Sequence, residues 1–255
     1  MNELELAVAF LAAVVGSAIN SIAGGGTLLT FPAIVALGVP PLIANATSTV
    51  ALWPGSLGAL WGYRKELSGA RPWLVRFTLP SLVGGGLGGW LLLRTGNDAF
   101  TRIVPFLVLG ATTLFLFHGP IMRWLRGHEA PSDVAETPGA GFVLAQFGVA
   151  VYGGYFGAGI GILMLAVLGV MGHVNIHQMN GLKNWGGLCI NLVAATLFAV
   201  SGVVMWKLAV ALAVGSVLGG YLGARMAQRV EQATVRRAVV VIGMAAFVWL
   251  LFRPV

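Results

Sequence analysis

The chain has 255 residues, of which 58% are hydrophobic and only 9% are charged. Soluble domains carry about 25% charged residues, so this chain lacks the polar groups needed to cover a surface in water. The composition excludes a soluble enzyme, a disordered protein and a nucleic-acid-binding domain, in spite of a net charge of +7. It is typical of a polytopic membrane protein.

Apolar runs in chain order indicate how often the chain crosses the bilayer, because a spanning helix needs about 20 apolar residues. Two further runs are about half as long, and each follows a glycine cluster. A helix interrupted by glycine is tolerated at membrane depth only where the non-helical backbone is buried in protein or lines a cavity. The long runs are 4–22, 43–63, 73–93, 100–117, 141–156, 177–200, 206–227 and 235–252, and the short runs are 27–37 and 160–171.

A polar linker at residues 119–139 divides the chain into two similar halves, an N-terminal repeat at 1–118 and a C-terminal repeat at 140–255. In each half a helix runs into a glycine cluster, a short apolar run, and a helix with polar residues near its start. A fixed offset between similar segments indicates an internal repeat.

Basic residues cluster at the ends of apolar runs, around 64–76, 123–126 and 225–237. The positive-inside rule places all three clusters, and with them the linker, on the cytoplasmic side only if each short run also counts as a crossing. Each half then has an odd number of crossings, so the repeats are inverted. The sequence predicts an all-α polytopic membrane protein with about eight long transmembrane helices, two glycine-broken half-helices and two pseudosymmetric, inverted repeats.

The acidic residues are absent from the middle of every apolar run. Cation transport and proton relays commonly use carboxylates inside the membrane, so their absence disfavours a cation as substrate. His173 and His177 are four residues apart but have no further ligands beside them, and no metal or other cofactor is expected. The acidic residues are Glu3, Glu5, Glu66, Asp98, Glu129, Asp133, Glu136 and Glu231.

The groups that the sequence offers instead suit an anion. Glycine-broken helices present backbone N–H groups at a helix N-terminus, where the helix dipole favours negative charge. Neutral hydrogen-bond donors follow both breaks in the sequence, and one lysine follows the second. The expected substrate-binding residues are Asn20, Gly24, Gly25, Gly26, Thr27, Asn45, Thr47, Ser48, Tyr155, Gly157, Gly159, Asn180, Lys183 and Asn184.

Structural explanations compete with this interpretation. The glycines at 84–89 and 215–223 are expected to be helix-packing surfaces rather than part of a site. Thr47, Ser48 and Thr49 have hydroxyls that can bond to their own helix backbone. Lys183 can extend to the membrane interface from the first turns of its helix.

The chain resembles the sulfite exporter TauE/SafE family of membrane permeases over essentially its whole length. The first half carries Asn20-Ser-Ile-Ala-Gly-Gly-Gly-Thr27, then Pro32, Leu37-Gly-Val-Pro40 and Ala44-Asn-Ala-Thr-Ser48. The second half carries Gly153-Gly-Tyr-Phe-Gly-Ala-Gly-Ile-Gly161 and Lys183-Asn184. The resemblance implies transport of small anions such as sulfite, sulfonates and other organosulfur anions across the cytoplasmic membrane of a prokaryote.

We therefore expect a secondary transporter for a small sulfur-containing anion that works by alternating access, and not an enzyme. A passive anion channel would use the same residues, and a membrane enzyme or assembly factor is a third, weaker alternative. The expected partners are the anionic substrate and the lipid bilayer, with no nucleic acid. The glycine faces also allow a homodimer.

Overall fold

The computed structural model describes residues 2–23, 25–62, 67, 71–127, 139–170, 176–226 and 230–252. Every described segment of secondary structure is helical, as the sequence predicts. The helices are α1 Glu3–Ala23, α2 Thr27–Ala36, α3 Pro41–Gly62, α4 Arg71–Gly127, α5 Ala140–Tyr155, α6 Ile160–Val170, α7 Ile176–Val200, α8 Trp206–Met226 and α9 Gln232–Phe252.

Five of the described helices contain a stretch long and apolar enough to cross a membrane, and in α4 the stretch is Pro72–Ile121. α2, α5 and α6 are apolar but shorter. The short lengths of α2 and α6 agree with the predicted half-helices. α5 was expected to be a long crossing, but it has 16 residues. It ends at Tyr155 because the backbone turns into a positive φ of 82° at Gly157.

Helix α4 turns back on itself at Gly96, where φ is 72° and ψ is 168°. Gly88 packs against Gly154 and Ala111 packs against Gly159. Residues 88 and 111 would lie about 34 Å apart along a straight helix, whereas residues 154 and 159 are at most about 18 Å apart. The arms at 71–95 and 97–127 are therefore two separate helical segments, and they coincide with the predicted runs 73–93 and 100–117.

The second arm of α4 continues to Gly127, well inside the segment expected to be a linker. The segment 121–127 contains no proline, so the helix has no reason to end at the polar boundary. Residues 128–138, which carry most of the linker's acidic residues, lie outside the described part of the chain.

The glycine-rich faces of α4 and α8 are close helix crossings. A Cβ on Gly88 would collide with the carbonyl oxygen of Val151 on α5, and one on Gly219 would collide with that of Val14 on α1. Only a residue without a side chain allows the backbones to approach this closely. The packing interpretation of both glycine faces is confirmed.

Phe31, Phe100 and Phe156 occupy the centre of the larger buried core. The rings of Phe31 and Phe156 meet edge to face with centroids 5.5 Å apart. Phe100 lies against Phe156 with centroids 6.4 Å apart. Because these residues come from α2, α4 and the segment after α5, this cluster joins the two halves of the chain.

Gly88→Ala should lower the thermal unfolding midpoint in detergent, because the new Cβ meets backbone that cannot move aside. Overpacking of this kind costs about 1–3 kcal/mol. Gly148→Ala on α5 is the matched control, since its Cβ would meet nothing within 4 Å. The control should not lower the midpoint, because alanine favours the helix. Equal midpoints for the two variants would contradict the close crossing.

Candidate functional site

The first break in the helices lies between α1 and α2. Gly25 has a φ of 86°, which L-residues rarely adopt. A Cβ at this position would also lie 2.6 Å from the ring of Phe115. The N–H groups of Leu28 and Leu29 bond to the carbonyls of Gly25 and Gly26, at 2.9 and 3.0 Å. These bonds begin α2 as a new helix. Gly24 lies outside the described residues.

The second break lies between α5 and α6, where Gly157 and Gly159 have φ values of 82° and 79°. The N–H of Ile162 bonds to the carbonyl of Gly159 at 3.0 Å, which starts α6. Within the described ranges, no residue accepts a hydrogen bond from the backbone N–H of Ala158, Gly159 or Gly161. Donors left over at a helix N-terminus form an anion-binding geometry.

Both breaks pack against the same turn of α4. The ring of Phe115 covers Gly25, as described above. A Cβ on Gly159 would lie 3.4 Å from Leu114 and 3.7 Å from Ala111. Since residues 111–115 span little more than one helical turn, the two breaks are near neighbours in space. The structure thus brings together the two glycine clusters that lie about 130 residues apart in the sequence.

Lys183 on α7 lies beside the start of α6. A Cβ on Gly161 would lie 3.3 Å from Cδ of Lys183, so the lysine stem covers this glycine. Nζ donates a hydrogen bond to Oδ1 of Asn180 at 3.2 Å. The side chain is half-buried and does not extend to an exposed position. The stem of a basic side chain therefore lies against the first turn of α6, at the positive end of that helix.

The polar residues near the start of α3 have different partners. Nδ2 of Asn45 donates to the carbonyl of Tyr155 at 3.0 Å, which ties α3 to the second break. Oγ1 of Thr47 accepts from the N–H of Met205 at 3.2 Å, just before α8. Oγ1 of Thr49 donates to the carbonyl of Asn45 at 2.9 Å, within its own helix. The backbone-bonding explanation is confirmed for Thr49 alone.

Ser48 differs from its neighbours because its hydroxyl is buried without a partner. The residue is only 3% exposed. Within the described part of the chain, no group forms a hydrogen bond with its Oγ. A buried hydroxyl without a partner is unfavourable by about 1–3 kcal/mol, which makes Ser48 a candidate ligand-binding donor.

The remaining expected site residues lie around the two breaks. Thr27 and Asn184 are half-buried, and Asn20 is exposed at the end of α1, beside Gly26. The hydroxyl of Tyr155 bonds to Oγ1 of Thr95 at 3.3 Å. Thr95 was not expected near the site, because only the turn of α4 brings it there.

Gly161 was also missing from the expected site, although it belongs to the second glycine cluster. Its position beside Lys183 depends on the packing of α6 against α7. The signal available in the sequence is the alternation of glycine at 157, 159 and 161.

No carboxylate faces this region in the described structure. Glu3, Asp98 and Glu231 are exposed and Glu5 is half-buried near the N-terminus. The other four acidic residues lie outside the described ranges. Among the described residues, no three His, Cys, Asp or Glu side chains lie together as a metal site would require.

Comparison with known proteins places the chain in a family. The model of the sulfite exporter TauE/SafE family matches residues 8–250. The chain belongs to the TauE/SafE family. Its members of known sequence include a "Probable membrane transporter protein" of Haemophilus influenzae, 30% identical over 93% of this chain and 91% of the relative. No solved structure matches the chain.

Two further TauE/SafE relatives are similar over almost their full lengths. "Probable membrane transporter protein ORF9" of Sinorhizobium sp is 28% identical over 98% of this chain and 93% of its own. "Probable membrane transporter protein YfcA" of Escherichia coli K12 is 28% identical over 95% of this chain and 88% of its own. Together with the apolar helices, family membership identifies a multi-pass membrane permease.

Asn45→Leu keeps the approximate volume of the side chain but removes the donor to the carbonyl of Tyr155. We expect a loss of about 1 kcal/mol in stability, typical of a hydrogen bond between membrane helices. Thermal unfolding in detergent measures the loss. Thr49→Val removes a bond within one helix and serves as the control with a smaller effect. An Asn45→Leu midpoint at or above that of the control would argue against the inter-helix bond.

Proposed function

We propose that the protein is a secondary transporter for a small sulfur-containing anion, such as sulfite, a sulfonate or a related organosulfur carboxylate. It moves this anion across the cytoplasmic membrane by alternating access. The observation that carries the proposal is the start of α6, where N–H groups without a described acceptor lie beside the stem of Lys183 and no carboxylate is described. The family's description as sulfite exporters supports the substrate class.

The substrate contacts follow from the two breaks. The N–H groups of Gly159 and Gly161 donate to oxyanion oxygens, and Lys183 supplies the compensating charge. Ser48 adds a hydroxyl donor from the first half. A sulfur oxyanion carries several acceptor oxygens, so donors from more than one helix can bind it at once.

Two inverted repeats, 1–118 and 140–255 joined by a cytoplasmic linker at 119–139, are part of the proposal. Matching helix contacts support them, because α8 packs against α1 just as the first arm of α4 packs against α5. The crossing glycines correspond, since Gly215 meets Phe10 and Gly84 meets Phe147.

The crossing of α3 and α7 has the same symmetry. Nε1 of Trp53 donates to the carbonyl of Leu188 at 3.3 Å, and these residues are 135 positions apart. Asn45 and Asn180 have the same separation, as do Ser48 and Lys183. Trp53 and Leu188, one pair with this separation, are thus in contact across the two helices. Binding sites of inverted-repeat transporters lie at such interfaces, beside broken helices.

Lys183→Gln should reduce uptake of sulfite or of a simple sulfonate into proteoliposomes by at least about tenfold, because a charge-assisted contact is lost. Thr47→Ala should also reduce uptake, by loosening the start of α8. Lys207→Gln, an exposed lysine on α8, and Val240→Ala on α9 are the controls with near-normal uptake. Fast flux that saturates at no concentration would instead indicate a channel, and no flux from folded protein would overturn the proposal.

Ser48→Ala should weaken anion binding by about fivefold, the effect of one hydrogen bond of about 1 kcal/mol. It should leave the thermal midpoint without ligand unchanged or higher, because the hydroxyl has no described partner to lose. Ser216→Ala on α8 is the matched control, since its hydroxyl bonds to the carbonyl of Ala213 at 2.8 Å. The control should leave anion binding unchanged. Anion-dependent shifts of the midpoint report binding, and equal shifts for both variants would remove Ser48 from the site.

A further inference from the structure

Lys183 is the charged group at the proposed site, and no residue of opposite charge is described beside it. The stem of its side chain covers Gly161 in the first turn of α6, whose N-terminus carries a partial positive charge of its own. Its described partner is the neutral side chain of Asn180. A charge inside the membrane is stable when another charge or several dipoles of the opposite sense compensate it, and the amide oxygen of Asn180 is the one such group described here.

The helices packed against α7 are α3, α4, α5 and α6. α3 and α6 contain no titratable residue. On α5, the hydroxyl of Tyr152 donates to the carbonyl of Ala158 at 2.7 Å, and that of Tyr155 bonds to Thr95. On α7 itself the other titratable residues are His177 and Cys189, and Cys189 is buried. The charged or titratable side chains described on α4 are the exposed Arg76, Arg94, Asp98, Arg102 and Arg123 and the half-buried His118.

An anion bound at the start of α6 favours the protonated form of Lys183. The bound anion compensates both the ammonium and the helix N-terminus, so protonation and anion binding stabilise each other. Such coupling is reciprocal: a proton on Nζ raises the affinity for the anion as much as the anion favours the proton. The site has no second described cation to substitute for Lys183.

We propose that Lys183 is the proton carrier of this transporter and that one proton crosses the membrane with each anion. The inference rests on the proposed anion site. On the loading side, the Nζ lone pair forms an N–H bond with a proton from water, and the anion binds to the ammonium. On the other side that N–H bond breaks, and proton and anion leave together. Asn180 is a positioning residue that accepts a hydrogen bond from Nζ.

The charge balance gives a specific signature. A monoanion moved with one proton carries no net charge, so a pH gradient drives its accumulation and the membrane potential does not. A dianion moved with one proton carries one negative charge, so its flux responds to both. A channel or uniporter would respond to the potential alone in both cases.

The test uses purified full-length protein in proteoliposomes with a pH-sensitive dye inside. The probes are methanesulfonate, a monoanion, and thiosulfate, a dianion, because neither takes up a proton between pH 6 and 8. Protons that move with these probes are therefore carried by the protein. We expect acidification of the lumen during methanesulfonate uptake, with no effect of a potassium diffusion potential set by valinomycin. Thiosulfate uptake should acidify the lumen and respond to that potential.

Lys183→Arg keeps a positive charge but cannot release a proton, because arginine stays charged throughout this pH range. The variant should lose at least about tenfold of the accumulation driven by a pH gradient, and any anion flux that it retains should not acidify the lumen. Lys207→Arg is the matched control and should behave as wild type in both assays. Lys183→His should shift the pH midpoint of uptake to lower pH, because histidine titrates below lysine. His177→Gln should leave that midpoint unchanged.

The outcomes are distinguishable. Anion flux without lumen acidification would overturn the proton carrier and leave the anion site standing. Proton-driven accumulation retained by Lys183→Arg would assign the proton to another group. If Lys183→Arg cannot be reconstituted in folded form, two other results test the proton carrier. These are the acidification of the lumen by the wild type and the pH midpoint of uptake by Lys183→His. No flux of sulfite, methanesulfonate or thiosulfate from folded protein would overturn the anion site and the proton carrier together.

Discussion

The constraint on which the rest of the structure depends is that a bilayer offers no hydrogen-bond partners to backbone. A helix that stops inside the membrane must therefore place its free N–H and C=O groups against protein or in a cavity. Among the described residues, glycine breaks precede two short helices, α2 and α6, and both breaks pack against one turn of α4. The turn at Gly96, the aromatic cluster around Phe156 and the close glycine crossings hold the helices around these two breaks together.

Much of the fold follows from the sequence because hydrophobic length and glycine position act locally. Every predicted apolar run lies on a helix, and the half-length of α2 and α6 follows from glycines with positive φ at each break. The turn of α4 back toward Tyr155 and the contact of Asn45 with Tyr155 depend on how distant segments pack. A single sequence carries no signal for such pairings, which is why Thr95 was missed and Gly161 was left out.

The sequence indicates which chemical groups the candidate site offers, but not which residues form hydrogen bonds with one another there. The absence of acidic residues from the apolar runs, together with one lysine near a glycine break, indicates an anion from the sequence alone. The structure then separated residues that the sequence treats alike. Thr47 and Thr49 bond to backbone, whereas Ser48 has no described partner. Ser48 and Lys183 are 135 positions apart, so under the proposed repeat the two halves present unequal groups at this position, one neutral and one cationic.

The hydrogen bond from Asn45 to the carbonyl of Tyr155 has a mechanical consequence. It joins a helix of one half to the end of a helix in the other, at a donor–acceptor distance of 3.0 Å. A rigid rotation of one half against the other separates points in proportion to their distance from the axis. Under the proposed alternating access, a rocking motion that keeps this bond must have its axis close by, which puts the pivot at the level of the second glycine break. A motion hinged elsewhere has to break the bond in every cycle.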